Sequence, residues 1–450
     1  MRERLTVYAP QGMLGYGFPS SSMEAALARK PDVIAVDAGS TDPGPYYLGA
    51  GVPFTNRRAV KRDLGRMLEA AHAHKLPLLI GSAGGGGGRP HLDWTLDVYH
   101  ELCREHGWHF RTTVIDAEID RAWLKKKMAA GRVRPLDIDR ALTEDDVDAA
   151  AHIVAQMGHE PFMRALDDGA EVVIAGRAYD PAMMGAHALR EGFDPGPVVH
   201  MGKILECGAA AAYPRHGSDG LIGIVERDGF IVEPPNPNQV CTVASVAAHS
   251  LYEKSDPYLM HFPAGAIDLR ETTFEQLTPR AVRVRGTRFI KAEQYTLKLE
   301  GARRVGYRTI SIAGARDPLL LANIDAYLAN IRARVAETYA DGYRLLFHVY
   351  GRDGVMGSLE PSKGVRGHEV GIVFEVIADD PETSAAVLAL TRSVALHVTY
   401  PGRKAIAGNL AFPFSPSDLR AGEVFEFGIH HLVEVDDPCE PFTMEILAGA

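Results

Sequence analysis

The chain has 450 residues, of which 46% are hydrophobic and 24% are charged, and its formal net charge is -10. A chain of this length exceeds one ordinary hydrophobic core, so we expect two domains. The acidic balance argues against a nucleic-acid partner, because nucleic-acid-binding proteins carry a basic face. It leaves an anionic substrate open, since a local arginine can outweigh a weak overall field.

The cysteines and the N-terminus bear on the cellular compartment. The four cysteines are Cys103, Cys207, Cys241 and Cys439, and none forms a Cys-x-x-Cys pair. This usage favours a reducing cytoplasm over a disulfide framework or a structural zinc site. The first residues do not read as a signal peptide, and no apolar run approaches the roughly 20 residues of a membrane helix. We therefore expect a cytoplasmic protein that has no contact with a membrane.

The first half of the chain alternates short apolar runs with segments of helical period. Strands are predicted over residues 5–9, 32–37, 76–82, 110–116 and 171–176. Helices are predicted over residues 23–30, 57–74, 93–107, 121–130, 145–167 and 181–191. Continuous apolar strands that alternate with helices indicate a parallel sheet with helices on both faces. The pattern does not distinguish an open sheet from a closed barrel.

The second half reads as an α+β domain, because runs of strands are followed by helices. Strands are predicted over residues 282–285, 294–299, 307–313, 343–350 and 371–377, and helices over 318–339 and 381–398. We therefore predict an α/β protein, with a parallel α/β domain over residues 1–270 that carries the site. A smaller α+β domain is predicted over residues 271–450.

The site is expected just beyond the carboxyl ends of the parallel strands, where ligands bind in such sheets. Asp37 ends the second strand and is a candidate general base, with Ser40 in the next loop as a candidate substrate ligand. The alternative for Asp37 is a structural role in a turn shaped by Gly and Pro.

A glycine-rich turn, Ser82-Ala followed by five glycines, comes after the third strand. Its backbone amides could hold phosphate or carboxylate oxygens, so Ser82, Gly84 and Gly85 are predicted to bind substrate. A flexible surface loop or mobile lid fits the same residues equally well. The spacing matches neither a dinucleotide fingerprint nor a P-loop, so no nicotinamide or flavin cofactor is expected.

Two further strand ends carry charged residues. Asp116 and Glu118 fall on one face if the strand continues, and together they could hold a divalent metal or divide acid and base roles. Arg177 follows the fifth strand and could grip a substrate carboxylate or phosphate in two-pronged fashion. A protein carboxylate such as Asp37 or Asp180 is the alternative partner for Arg177.

A helix face further along the chain adds the last candidates. Lys203 and Glu206 lie three residues apart on one face, and we predict them as a substrate ligand and a catalytic acid. The adjacent Cys207 is more often a small buried hydrophobe than a nucleophile at such a position.

Several of these segments resemble the acyclic terpene utilisation AtuA-like family, long labelled a domain of unknown function. The similar segments, in chain order, are DAGS (37–40), SAGGGGG (82–88), GRAYDPA (176–182), LECG (205–208), TVASVAAHSLYEKSDP (242–257), VRVRG (282–286) and GYR (306–308). The first loop, residues 10–17, departs from the family pattern. The resemblance implies catabolism of branched acids or terpenoids and a short companion protein, separate or fused, but no single agreed reaction.

The leading functional prediction is a lyase of the hydratase or dehydratase type that acts on a small, branched or unbranched carboxylic acid or acyl substrate. Arg177 and the glycine turn would anchor the carboxylate, Asp37 or Glu118 would be the base, and Glu206 or a metal-bound water would be the acid. The alternatives are an acyl-binding accessory subunit of a degradation complex and a thioester or amide hydrolase that uses Ser40, Ser82 or Cys207. The hydrolase lacks support from a Gly-x-Ser-x-Gly elbow. We also expect a homo-oligomer.

Overall fold

The computed structural model describes residues 2–136, 139–215, 217–251, 256–362, 367–406 and 408–447. Residues 252–255, which belong to one of the family-like segments, lie outside the described residues. Contacts divide the chain into two compact units. The first comprises Met1–Arg303 and Phe427–Ala450, and the second comprises Arg304–Glu426.

The elements of the described chain follow in order. The strands are β1 (Arg4–Ala9), β2 (Val33–Asp37), β3 (Leu78–Gly81), β4 (Thr112–Asp116), β5 (Val133–Pro135), β6 (Ala150–Gln156), β7 (Val172–Ala175), β8 (Ala212–Tyr213), β9 (Leu221–Glu226), β10 (Gly229–Glu233), β11 (Val240–Cys241), β12 (Leu259–Phe262), β13 (Gly265–Asp268), β14 (Thr273–Gln276), β15 (Val282–Arg285), β16 (Arg288–Lys291), β17 (Tyr295–Ala315), β18 (Tyr343–Tyr350), β19 (Val370–Ala378), β20 (Asp418–Val435) and β21 (Thr443–Leu447). The helices are α1 (Ser20–Ala28), α2 (Pro45–Ala50), α3 (Arg57–His74), α4 (Arg89–His106), α5 (Arg121–Ala129), α6 (Glu144–Ala149), α7 (Glu160–Asp167), α8 (Ala182–Arg190), α9 (Pro195–Leu205), α10 (Val243–Ser250), α11 (Pro318–Ala322), α12 (Ile324–Ala336) and α13 (Pro381–His397). None of these helices combines the length and the apolar character that crossing a membrane requires.

The first unit is built on a large sheet with the strand order β14-β15-β10-β9-β1-β2-β3-β7-β4-β21. Its five neighbouring strands β1, β2, β3, β7 and β4 run parallel. The antiparallel strands β9 and β21 border this parallel block, so the described sheet is open and is not a closed barrel. The predicted α/β fold class is confirmed.

Both faces of the parallel block are covered by helices, as predicted. Successive side chains of a strand point to opposite faces, and Val7 and Tyr8 of β1 accordingly belong to different buried clusters. Leu64 of α3 packs in the cluster of Tyr8, whereas Met184 of α8 packs in the cluster of Val7. This double coverage explains why the parallel strands read as continuous apolar runs.

The large sheet continues beyond residue 270, where the sequence placed a domain boundary. The hairpin of β9 and β10, which was not predicted, pairs with β15, and β15 pairs with β14. These ladders attach residues 273–285 to the parallel block through backbone hydrogen bonds. The observed units therefore change at Arg303 and again at Phe427.

The helix predicted over residues 145–167 is wrong. The segment divides into α6, β6 and α7, and β6 pairs antiparallel with the first part of β17. Ile153, Val154 and Ala155 of β6 are at most 1% exposed. A short apolar run does not by itself distinguish a helix from a strand, and here the pairing with a distant strand decided the outcome.

The second unit is the smaller α+β part. Its β18, β19 and the residues of β17 from Tyr307 onwards form antiparallel ladders. Helices α11, α12 and α13 supply apolar side chains to the core of this unit. The single helix predicted over residues 318–339 is wrong, because Asn323 has a non-helical backbone and separates α11 from α12.

Candidate active site

The polar candidate residues at the ends of the parallel strands lie at one edge of the sheet. Asp37 ends β2, Ser82 follows β3, Arg177 follows β7 and Asp116 ends β4. These strands are neighbours in the order β2-β3-β7-β4 and run parallel, so their carboxyl ends point the same way. The side chains nevertheless form two separate groups.

Arg177 organises the first group. Its Nε donates to Oε2 of Glu300 at 2.7 Å, and its Nη1 donates to Oδ1 of Asp180 and to Oγ of Ser82, both at 3.3 Å. Ser82 is held further by the amide of Ala178, which donates to the same hydroxyl at 3.3 Å. The structure thus provides protein partners for Arg177, which is the alternative that the sequence left open.

Glu300, which lies in β17, is the residue of this group that sequence reasoning missed. Besides Arg177, it accepts a hydrogen bond from the hydroxyl of Thr41 at 2.8 Å and pairs with Lys298 at 2.9 Å. Burial alone would raise the pKa of Glu300, but Arg177 and Lys298 together lower it to about 2. The only sequence signal was the alternation of Lys298 and Glu300 with the buried Leu297 and Leu299.

A cavity of about 490 Å³ opens beside this group. Among the described residues it is lined by Gly12, Met13, Tyr16, Asp37, Gly39, Ser40, Asp42, Asp180, Glu206, Cys207, Ala209, Ala210, Arg215, Gly217, Ser218 and Asp219. We call it the acidic cavity, because five carboxyl groups and one arginine line it. Of the predicted site residues, it contains Asp37, Ser40 and Glu206. Ser82, Gly84, Gly85, Arg177, Lys203, Asp116 and Glu118 are not in its described lining.

Two carboxyl groups of the acidic cavity hold protons unusually tightly. Burial raises the pKa of Asp37 well above its usual range, and the neighbouring Asp180 adds to the shift, while Arg177 and Ser82 oppose it. Burial likewise raises the pKa of Asp180, against the opposing charges of Arg177 and Lys203. Asp37 is only 6% exposed whereas the Asp180 side chain is 32% exposed. Loss of solvation therefore supports a raised pKa more strongly at Asp37 than at Asp180.

Lys203 and Glu206 form the pair that their spacing predicted. The Lys203 ammonium donates to Oε1 of Glu206, and both side chains are at most 10% exposed. Glu206 follows the last turn of α9 and faces the acidic cavity, whereas Lys203 stands behind it. Lys203 therefore supplies a counter-charge to Glu206 rather than part of the cavity wall.

The glycine-rich turn is packed inside the protein. Gly84 to Gly88 are all buried, which excludes the flexible surface loop that the sequence left open. A Cβ on Gly39 would lie 2.5 Å from Cα of Gly85, and one on Gly87 would lie 2.3 Å from the backbone nitrogen of Arg177. The glycines allow this close backbone packing. An anion-binding role for Gly84 and Gly85 remains a prediction.

The second group lies next to the last glycine of the turn, because a Cβ on Gly88 would lie 2.9 Å from Oε2 of Glu118. Glu118 accepts from Nδ1 of His152 at 2.9 Å and from the Arg89 amide at 3.0 Å. Asp116 accepts from the Glu118 amide at 2.8 Å and pairs with Arg89 at 3.4 Å. Within the described parts of the chain, no cluster of three or more His, Cys, Asp or Glu side chains has metal-binding geometry. A metal bound by the two carboxylates of Asp116 and Glu118 therefore remains a prediction.

Comparisons with known proteins bear on the family. A family model described as acyclic terpene utilisation family protein AtuA matches residues 58–411. The matched range contains the glycine turn, Arg177, Glu206 and Glu300, whereas Asp37 and Ser40 precede it. No curated protein and no solved structure matches the chain.

Proposed function

The chain belongs to the acyclic terpene utilisation AtuA family, and from this premise we propose that its acidic cavity catalyses a hydratase or dehydratase reaction on a small acyl substrate. The observation that carries the proposal is the pair Asp37 and Asp180, two carboxyl groups with raised pKa values in one cavity wall. Carboxyl groups that face a cavity and titrate abnormally are typical of acid–base sites.

Asp37 is assigned the role of the acid. Removal of water requires an acid that protonates the leaving hydroxyl and a base that takes the α-proton. Because burial raises the pKa of Asp37, its carboxyl group keeps a proton closer to neutral pH than an ordinary aspartate does. The sequence had assigned Asp37 as the base, and the raised pKa favours the opposite role.

Glu206 is assigned the role of the base. It faces the same cavity as Asp37, and the ammonium of Lys203 beside it favours a negatively charged carboxylate. The sequence had assigned Glu206 as the acid, so the two roles are exchanged. Glu118 has no place in this scheme, because it is not in the described lining of the cavity.

Arg215 is assigned the role of substrate anchor. It is exposed in the lining of the acidic cavity, and no ion pair joins it to any other described residue. A carboxylate or phosphate of an acyl substrate would therefore find its counter-charge at Arg215 rather than at Arg177. Arg177 is then a positioning residue, which orients Asp180 in the cavity wall and Ser82 behind it. A branched acyl chain agrees with the terpene pathway in the family name.

The test is isotope exchange between water and branched 3-hydroxyacyl thioesters. The wild-type protein should incorporate oxygen-18 from labelled water at the hydroxyl position and deuterium at the α-carbon. Asp37→Asn should lower the exchange rate by about 100-fold or more, the contribution typical of general acid catalysis. Asp97→Asn, at an exposed aspartate of α4, is the matched control and should exchange at the wild-type rate. Equal exchange in the Asp37→Asn and control proteins would contradict the assignment.

A second candidate function, thioester hydrolysis, is favoured by the position of Cys207 in the cavity wall beside Glu206. The thiolate would attack the thioester carbonyl, release the substrate thiol and form an acyl-enzyme that water then cleaves. Cys207→Ser separates the two functions. It should abolish thiol release if Cys207 is the nucleophile, and it should leave isotope exchange in place if the reaction is a hydration.

A further inference from the structure

The first unit contains a second cavity of opposite character. Its volume is about 650 Å³, and it lies between the small sheet β12-β13-β16 and the strands β5, β17 and β20. The residues that matter here are the cations Arg134, Lys291 and Lys298 and the apolar Phe262, Ile290 and Leu432. No aspartate or glutamate belongs to its lining as far as the structure describes it. We call it the basic cavity.

The positive charge of the basic cavity is largely uncompensated. Lys298 pairs with the buried Glu300, but Arg134 and Lys291 form no ion pair within the described chain. Both are exposed, and a pair of unmatched cations around one concavity attracts an anion. The protein as a whole is acidic, so this local excess of positive charge does not follow from its overall charge.

The apolar part of the wall indicates a ligand with a hydrocarbon portion. Phe262 stacks on Tyr179 with ring centroids 6.1 Å apart and planes inclined by 12°. Ile290 is 46% exposed although it lines the cavity. A concave site of this volume with apolar walls and a few convergent charges is typical of small-molecule binding.

Two adjacent residues line different cavities. Tyr179 lines the basic cavity, while the next residue, Asp180, lines the acidic cavity. The Tyr179 hydroxyl is buried and has no hydrogen-bond partner within the described residues. Burial raises its pKa, with contributions from Glu206 and Asp180, so the phenol is neutral. A carboxyl-rich cavity and a cationic cavity are thus lined by adjacent residues, and of the two only the cationic one has more than one lysine or arginine in its described lining.

We propose that the basic cavity binds an amphipathic anion, with a carboxylate or phosphate at Arg134 and Lys291 and a hydrocarbon chain along Phe262, Ile290 and Leu432. Guanidinium and ammonium groups both bind carboxylate and phosphate oxygens. The anion has two sources, a free acyl carboxylate or the phosphate of an acyl thioester cofactor. This binding does not depend on the reaction assigned to the acidic cavity.

Isothermal titration calorimetry on the full chain tests the proposal with octanoate, octanoyl-coenzyme A, free coenzyme A and octanol. Octanoate or octanoyl-coenzyme A should bind saturably, and octanol at least tenfold more weakly.

The double variant Arg134→Gln, Lys291→Gln should weaken binding of the anion at least tenfold. Lys126→Gln, at an exposed lysine of α5, is the matched control and should bind like wild type. Ile290→Ser should weaken binding of the octanoyl chain without changing the melting temperature, because Ile290 is exposed.

The outcomes separate the two sources and the two cavities. Competition by free coenzyme A would assign the phosphate, and octanoate binding without such competition would assign the carboxylate. The double variant Arg134→Gln, Lys291→Gln should keep the wild-type rate of isotope exchange, because neither residue lines the acidic cavity as far as it is described, so the assignment of the basic cavity can fail or hold independently of the proposed reaction. Absence of binding by both anions, equal binding of octanol, or unchanged affinity in the double variant would overturn the proposal.

Discussion

Arg177 and Glu300 form a buried ion pair, with Nε 2.7 Å from Oε2 and both side chains at most 3% exposed. The two residues are 123 positions apart in the chain. A buried guanidinium requires a partner, because an unpaired charge in the interior is costly. This pair joins the loop after β7 to β17, and it holds the back of the acidic cavity through Asp180 and Ser82.

Glu300→Gln should destabilise the fold by roughly 3 kcal/mol at neutral pH, the equivalent of lowering a glutamate pKa from 4.5 to about 2. A carboxyl group whose pKa is depressed in the folded state stabilises the protein above its unfolded pKa. That stability is lost as the pH falls from 4.5 towards 2, so the variant and wild type should converge in acid. Thermal melts across this pH range measure the effect. Glu337→Gln, which removes an exposed ion pair, should change stability little at any pH.

Arg177→Lys should lower the melting temperature and leave the affinity for an acyl anion nearly unchanged. Lysine keeps the charge but loses the planar fork that reaches Glu300, Asp180 and Ser82 together. Loss of one charged hydrogen bond costs about 1.5–3 kcal/mol. Arg58→Lys, at an exposed position of α3, is the matched control. Weakened anion binding with an unchanged melting temperature would instead make Arg177 the substrate anchor.

Asp37→Asn should stabilise the protein near neutral pH and have less effect at pH 4. Burial raises the pKa of Asp37 in the folded state, so the folded protein binds the proton more tightly than the unfolded chain. For a raised carboxyl pKa, stability is complete below the unfolded value and decreases as the pH rises through the folded value. Chemical denaturation of both proteins at several pH values tests the sign. A variant that is equally or less stable at every pH would contradict the raised pKa.

Gly39→Ala should disturb the acidic cavity and cost about 1–3 kcal/mol, the range for overpacking. Its new Cβ would lie 2.5 Å from Cα of Gly85 at a φ of +146°. Gly44→Ala is the control, because Gly44 also has a positive φ, +107°, but no neighbour within 4 Å of the added carbon. Comparing the two melting temperatures isolates the contact from the backbone strain. Equal losses would mean that the approach of Gly39 to Gly85 is unimportant.

The sequence predicted the parallel sheet and the positions of its strand-end residues well, because both depend on local patterns. Buried strands between helices read as apolar runs, and their last residues follow directly along the chain. Asp37, Ser40 and Glu206 do line one cavity. The helix predicted across β6 failed for the complementary reason, because a short apolar segment takes its conformation from the strand with which it pairs.

The tertiary structure alone decided which of these residues meet. The strand order places β7 between β3 and β4, so Arg177 reaches Ser82, while Asp116 and Glu118 pair with Arg89 and His152 in a separate group. It also brings Glu300 from β17 to Arg177, a contact that no local pattern encodes. The sequence thus determined the elements and the kinds of side chain at their ends. Long-range strand pairing and burial determined the partners, and burial also shifted the pKa of Asp37 and with it the role proposed for that residue.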